Sequence, residues 1–145
     1  MSQDPFGNLE DWGRVLVTLE ELTDQGRLDE AQDGVIRLLR YRDNWRVRES
    51  ALVASRQIKA PTPPLLTAIA QVLEDQAAFV DARILAARAL GELAGRQPRG
   101  EATPETSTKA LRAVLQRQLD NPEAPILTRA IEAALEKLAK TRVTA

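Results

Sequence analysis

Apolar residues recur along this chain at intervals of three and four, the spacing of one face of an α-helix. Leu9, Trp12, Val15 or Leu16, Leu19 and Leu22 form one stripe, and Gly26 follows as a helix-ending glycine. Leu28, Ala31, Val35, Leu38 and Leu39 mark a second helix. A third is expected over 45–58, with Asp43 or Asn44 as its N-cap. Thr62 caps a fourth, and Pro63 takes its first position, where a missing N–H costs nothing. Leu65, Leu66, Ile69, Val72 and Leu73 give that helix its apolar face. A fifth is expected over 78–94, ended by Gly95, and the Pro-, Gly- and Thr-rich stretch 95–107 predicts a mobile loop. Leu111, Val114, Leu115 and Leu119 belong to a sixth, broken by Asn121 and Pro122. The seventh carries Leu127, Ile131, Ala134, Leu135 and Leu138. No segment alternates with the period of a strand, so the expected class is all-α, with about seven helices in one domain over residues 1–145.

Composition removes whole classes of chemistry. The chain has neither cysteine nor histidine. Disulfides, thiolate nucleophiles, histidine bases and the commonest metal ligands are thereby excluded. The serines have no histidine to activate them, and no glycine-rich phosphate loop or metal-ligand spacing occurs. No catalytic residue, cofactor or metal is expected. The N-terminus lacks the pattern of a signal peptide and no run is apolar enough to span a membrane, so the expectation is a cytoplasmic protein without a membrane partner.

The net charge of −1 is unevenly spread. Residues 1–43 carry 10 acidic and 5 basic groups, 44–100 carry 5 and 8, and 101–145 carry 6 and 7. One stretch, "LLRYRDNWRVRESAL" at 38–52, is rich in arginine and aromatics. Arg37, Arg40, Arg42 and Arg46, with Tyr41 and Trp45 among them, form a candidate basic patch for nucleic acid, since arginines neutralise phosphates and rings stack on bases. A dedicated duplex binder is usually far more basic overall.

An internal repeat gives these helices an order. "DQAAFVDARILAARALGELA" at 75–94 and "DNPEAPILTRAIEAALEKLA" at 120–139 match at Asp75/Asp120, Ala89/Ala134, Leu90/Leu135, Leu93/Leu138 and Ala94/Ala139. Their offset of 45 residues lies within the range of HEAT and armadillo units. A weaker copy at 43–58 keeps Asp43, Val47, Arg48 and Ala51. Arg83, Ala86 and Leu90, like Arg48 and Ala51, sit where the second helix of a HEAT unit has Arg, Ala and Leu; in the last unit Thr128 takes the arginine position beside Arg129. The chain therefore resembles the HEAT-repeat family over about 28–140. The resemblance implies a short α-solenoid: a capping helix at about 9–24, then antiparallel pairs at about 28–58, 62–95 and 105–140. A plain helical bundle is the alternative.

The same resemblance implies two roles for named residues. Arg48 and Arg83 would pair with the turn aspartates Asp43, Asp75 and Asp120 of stacked repeats, a structural ladder that fixes register. The second helices would line a concave face, presenting Glu49, Val53, Arg56, Arg88, Glu92, Arg129 and Glu136 to a protein or peptide partner. The expected function is that of a non-enzymatic interaction module. Nucleic-acid binding through the 37–48 arginines is the alternative. A HEAT-like lyase or chaperone subunit acting with a partner is a further one.

Overall fold

The structure, a computed structural model, describes residues 4–96, 104–120 and 124–144. Seven α-helices run through them: α1 (Trp12–Asp24), α2 (Gln32–Arg40), α3 (Trp45–Ser55), α4 (Pro63–Glu74), α5 (Val80–Leu93), α6 (Thr108–Leu119) and α7 (Pro125–Thr144). Short 3-10 turns precede α2 (Leu28–Ala31) and α6 (Pro104–Thr106). No strand occurs among the described residues. The middle of the expected mobile loop, 97–103, and the expected helix break at Asn121 and Pro122 lie outside them.

Local chemistry sets most boundaries. α1 ends in a Schellman turn: Gly26 has φ +67°, Arg27 N–H donates to Leu22 O and Gly26 N–H donates to Thr23 O. Asn44, Thr62 and Ser107 cap α3, α4 and α6 by accepting from Arg46, Leu65 and Ala110 N–H. Two expectations shift. The second helix splits, because Leu28–Ala31 winds as a tighter 3-10 turn before α2 begins at Gln32. The fifth begins at Val80 rather than at residue 78, where Phe79 takes the N-cap position without a side-chain cap.

The helices pack in two layers. α2, α4 and α6 adjoin in one, and α1, α3, α5 and α7 adjoin in the other. The layers are joined by the consecutive pairs α2–α3, α4–α5 and α6–α7. Leu38, Leu39, Leu52, Leu65, Ile69, Leu73, Leu90, Leu93, Leu111, Leu115 and Leu127 are fully buried. α5 is the central helix: nine of its 14 residues are buried, six of them alanine, glycine or arginine at Ala82, Arg83, Ala86, Ala87, Ala89 and Gly91. Small residues let α7 come close. A Cβ on Gly91 would stand 2.9 Å from the Cα and Cβ of Ala134.

Polar side chains tie one pair to the next. Gln32 is wholly buried; its amide donates to Ala60 O (3.0 Å) and accepts from Thr62 N–H (2.8 Å). Asp29 accepts from Lys59 and Ala60 N–H at 2.9 and 2.8 Å. These bonds fix the loop between α3 and α4 to the start of α2. Before α1, buried Phe6 lies against Gly34 of α2, and Arg37 grips Asp4 with two bonds of 2.6 and 2.8 Å.

The arginines at the fourth position of α3 and α5 do the same work in two places. Arg48 Nε donates to Leu39 O (3.1 Å), and Arg83 Nε donates to Leu73 O (2.9 Å). Leu39 and Leu73 are the penultimate residues of α2 and α4. Each arginine thus satisfies a helix-terminal carbonyl within its own pair. Arg83 also reaches Gln118 Oε1 on α6 at 2.8 Å. Asp75 meets Arg42 Nη2 (3.4 Å) and the Ala77 N–H (2.9 Å), while Arg48 shares a cavity of about 90 Å³ with it. Asp43 and Asp120 are exposed. The repeated contact made by Arg48 and Arg83 is therefore arginine to helix-end carbonyl.

Two predictions follow from the packing. Gly91→Ala should lower the melting temperature, overpacking against Ala134 costing about 1–3 kcal/mol against about 1 kcal/mol gained in helix propensity. Gly13→Ala, which meets open space on α1, should raise it. Arg83 is 2% exposed; urea unfolding of Arg83→Ala should show a loss of about 3 kcal/mol, because Leu73 O and Gln118 lose a buried charged donor. Exposed Arg40→Ala should stay within about 0.5 kcal/mol of the parent.

Candidate functional site

Every helix of the α1/α3/α5/α7 layer opens with a large apolar residue in solvent. Trp12 and Trp45 are the first residues of α1 and α3, Phe79 and Val80 begin α5, and Ile126 is the second residue of α7. Trp45 is 52% exposed and Phe79 64%. A helix N-terminus needs a capping group just before it, not an aromatic at its first turn, so local structure does not account for these side chains.

Trp45 belongs to a groove of about 560 Å³ between α1, α3 and α5. Leu16 and Leu19 of α1, Val53 and Ala54 of α3 and Leu85 of α5 form its apolar lining. Glu20, Asp24 and Glu49 supply acids, against the single cation Arg46. Arg46 lies over the Trp45 ring, 5.4 Å from its centroid. Along α3 the lining residues Trp45, Glu49 and Val53 recur every four positions, a stripe about 12 Å long at 1.5 Å per residue. The groove continues past Trp45 into a cleft of about 350 Å³ formed by Trp45, Glu49, Phe79, Val80 and Asp81.

Glu49 sits where these spaces meet. It is partly buried, and no hydrogen bond or ion pair holds its carboxylate among the described residues. Burial raises its carboxyl above the ordinary 4.5, and the nearby charge of Asp81 adds to the rise.

The other expected site residues divide among separate places. Of the expected partner-binding set, Glu49 and Val53 meet in the groove. Arg56 instead donates to Glu92 at 3.0 Å. Glu92 is also reached by Lys137 of α7 and Arg96, so that one carboxylate ties α3, α5 and α7. The Lys137 hydrogen bond first, then that of Arg56, holds the Glu92 carboxyl below its ordinary value. Arg96 also donates to the carbonyl of Arg56 (2.7 Å), closing the end of α3. Arg88 and Arg129 are exposed, and Glu136 pairs with Lys140 one turn on. Within the arginine-rich stretch, Arg42 and Arg48 line a cavity of about 210 Å³ together with Tyr41, Trp45, Glu49 and Phe79. Arg37 holds Asp4, Arg46 faces the groove, and Arg40 and Arg42 border the small cavity beside Asp75.

Leu16, Leu85, Phe79 and Asp81 were not among the expected contact residues, and Trp45 was expected only as a ring of the arginine-rich patch. The available signal was an aromatic or β-branched residue at the start of all four helices of one layer, of which only Trp12 belongs to an expected apolar stripe. No group of acidic side chains suited to a metal ion occurs among the described residues, and no helix among them is long and apolar enough to cross a membrane. Compared with known proteins, the chain matches no family model, no curated protein and no solved structure.

The raised carboxyl of Glu49 carries a sign. An acid favoured in its neutral form by the fold binds its proton more tightly folded than unfolded, so its charged form detracts from stability once pH exceeds the raised value. Glu49→Gln should therefore raise the melting temperature at neutral pH. The gain should vanish below pH 4.5, the ordinary value, where both states hold the proton. Calorimetric melts of the two proteins across that range check it.

Proposed function

We propose that this chain is a non-enzymatic interaction module, a short HEAT-like solenoid that binds a protein or peptide partner in the groove between α1, α3 and α5. The observation that carries the reading is the groove's lining: Trp45 and Val53 are each about half exposed beside Leu16, Leu19 and Leu85 in one concavity. Apolar side chains gathered in a groove and rimmed by charges are characteristic of a docking surface, whereas scattered ones need no explanation. The stripe Trp45, Glu49, Val53 also matches the spacing at which an amphipathic helix presents its anchors.

The two-layer order supports the solenoid part of the reading. Substantial contacts join helices that are neighbours or next but one in order, as in repeat stacks. Equivalent arginines, Arg48 and Arg83, bond to equivalent carbonyls in successive pairs. Nucleic-acid binding has less support, because Arg37 is bonded to Asp4, Arg42 to Asp75, and the groove beside Arg46 is mainly acidic. The lyase reading has no observation in its favour.

The test is a display library of amphipathic peptides of unbiased charge, selected on the parent protein and counter-screened on Val53→Glu. Val53 is 51% exposed, so the substitution should leave stability within about 0.5 kcal/mol. Selected peptides should lose roughly 10-fold or more in affinity, as for truncation of an anchor contact. Gln116→Glu on α6 should leave binding unchanged. A library that yields only peptides indifferent to Val53→Glu removes the reading.

A further inference from the structure

We propose that the cleft between Trp45, Glu49, Phe79 and Asp81 receives a lysine or arginine side chain, so that the groove selects amphipathic helices with a basic residue beside their apolar face. The inference rests on the peptide-binding reading above and adds the chemistry of the partner. Its elements are two exposed aromatic rings and two carboxylates around one space of about 350 Å³. A cation placed there lies beside both rings and both carboxylates, the groups that recognise ammonium and guanidinium side chains.

The protein's own cations do not fill this role. Arg46 is stacked on Trp45 and lines the main groove. Arg42 and Arg48 line an adjoining cavity of about 210 Å³ with Trp45, Glu49 and Phe79, but Arg42 is bonded to Asp75, Arg48 donates to the Leu39 carbonyl, and neither lines the cleft itself. Asp81 has a local reason to be charged, standing in the first turn of α5. Glu49 has none: it is partly desolvated, faces a like charge and is held by no donor among the described residues. An incoming cation relieves both the desolvation and the repulsion. Polarity along the groove agrees, since Glu20 and Asp24 continue the acidic rim along α1. An acidic peptide or a nucleic acid would meet mostly like charge, with Arg46 the one cation lining the main groove.

The experiment uses three labelled helical peptides with leucine and alanine on one face. The other face carries lysine in the first, glutamine in the second and glutamate in the third. Anisotropy titrations should show the lysine peptide binding roughly 10-fold or more tightly than its glutamine twin, and the glutamate peptide weakest. In the double variant Glu49→Gln with Asp81→Asn, the lysine preference should fall to within about 3-fold, while the glutamine peptide binds as before. Removing two charges on the other layer, Glu30→Gln with Glu74→Gln, should keep the preference and so exclude general attraction to an acidic protein. The inference is overturned if lysine and glutamine peptides bind the parent alike, or if the preference survives in the Glu49/Asp81 variant. Those outcomes leave the groove reading intact provided that binding of the glutamine peptide falls with Val53→Glu. Where no peptide binding responds to Val53→Glu, or the chain dimerises through this face instead, both readings fall.

Discussion

A helix that ends inside a packed protein leaves carbonyl groups with no partner of their own, and in this fold an arginine from the next helix answers that need. Arg83 shows the full form of the device. Nearly excluded from solvent, it donates to Leu73 O at the end of α4 and to Gln118 on α6, so one guanidinium joins three helices. A buried cation is costly unless every donor is engaged, and that demand makes its position specific. Arg48 repeats the first half of the contact with Leu39 O. Because each arginine is the fourth residue of its helix, it sets how far α3 and α5 advance past the ends of α2 and α4. The first turns of these helices then project into solvent, and there Trp45, Phe79 and Val80 are found.

The projecting turns carry a cost that the rest of the molecule does not share. Elsewhere the partly buried carboxylates are answered: Glu92 draws together Arg56, Arg96 and Lys137, Asp29 takes two backbone N–H groups, and Asp75 meets Arg42 and the Ala77 N–H. Only beside Trp45 does a partly buried carboxylate face another carboxylate with no donor among the described residues. Natural proteins accept such local disagreement where a surface serves something other than stability. The conflict at Glu49 and the apolar exposure at Trp45 and Phe79 fall in one place, and this coincidence separates the groove from ordinary surface variation.

Much of the architecture was legible in the residues. Thr62 with Pro63, Ser107 and Asn44 mark helix starts because their side-chain oxygens have one good use, and Gly26 marks an end because few other residues tolerate its φ. Glu49 and Val53 were expected to face a partner, and the groove contains both. The arginine roles were harder to read. Whether Arg48 meets an aspartate or a carbonyl depends on a difference of a few ångströms in how two helices cross, which helical periodicity does not encode. The burial of Phe6 was missed for a similar reason: its seat is created by Gly34, and a lone phenylalanine in a polar leader has no periodic neighbours to announce it. The cleft at Phe79 involves residues more than thirty positions apart, so only the packing of α3 against α5 brings them together.

Within this layer the α5–α7 and α1–α3 contacts differ in the size of the facing residues. Between α5 and α7 the facing residues are small, Gly91 against Ala134, and the helix backbones nearly touch. That seam is sealed by close packing and then crossed by Glu92 and Lys137. Between α1 and α3 the facing residues are large or charged: Leu16, Glu20 and Asp24 against Trp45, Glu49 and Val53. Side chains of that size cannot interdigitate at the distance that glycine and alanine allow, and they line the groove. α1 has no consecutive partner helix in the α2/α4/α6 layer, and the segment before it is seated on α2 through Phe6. Small facing residues thus close one seam, while large or charged ones leave apolar surface open along the other.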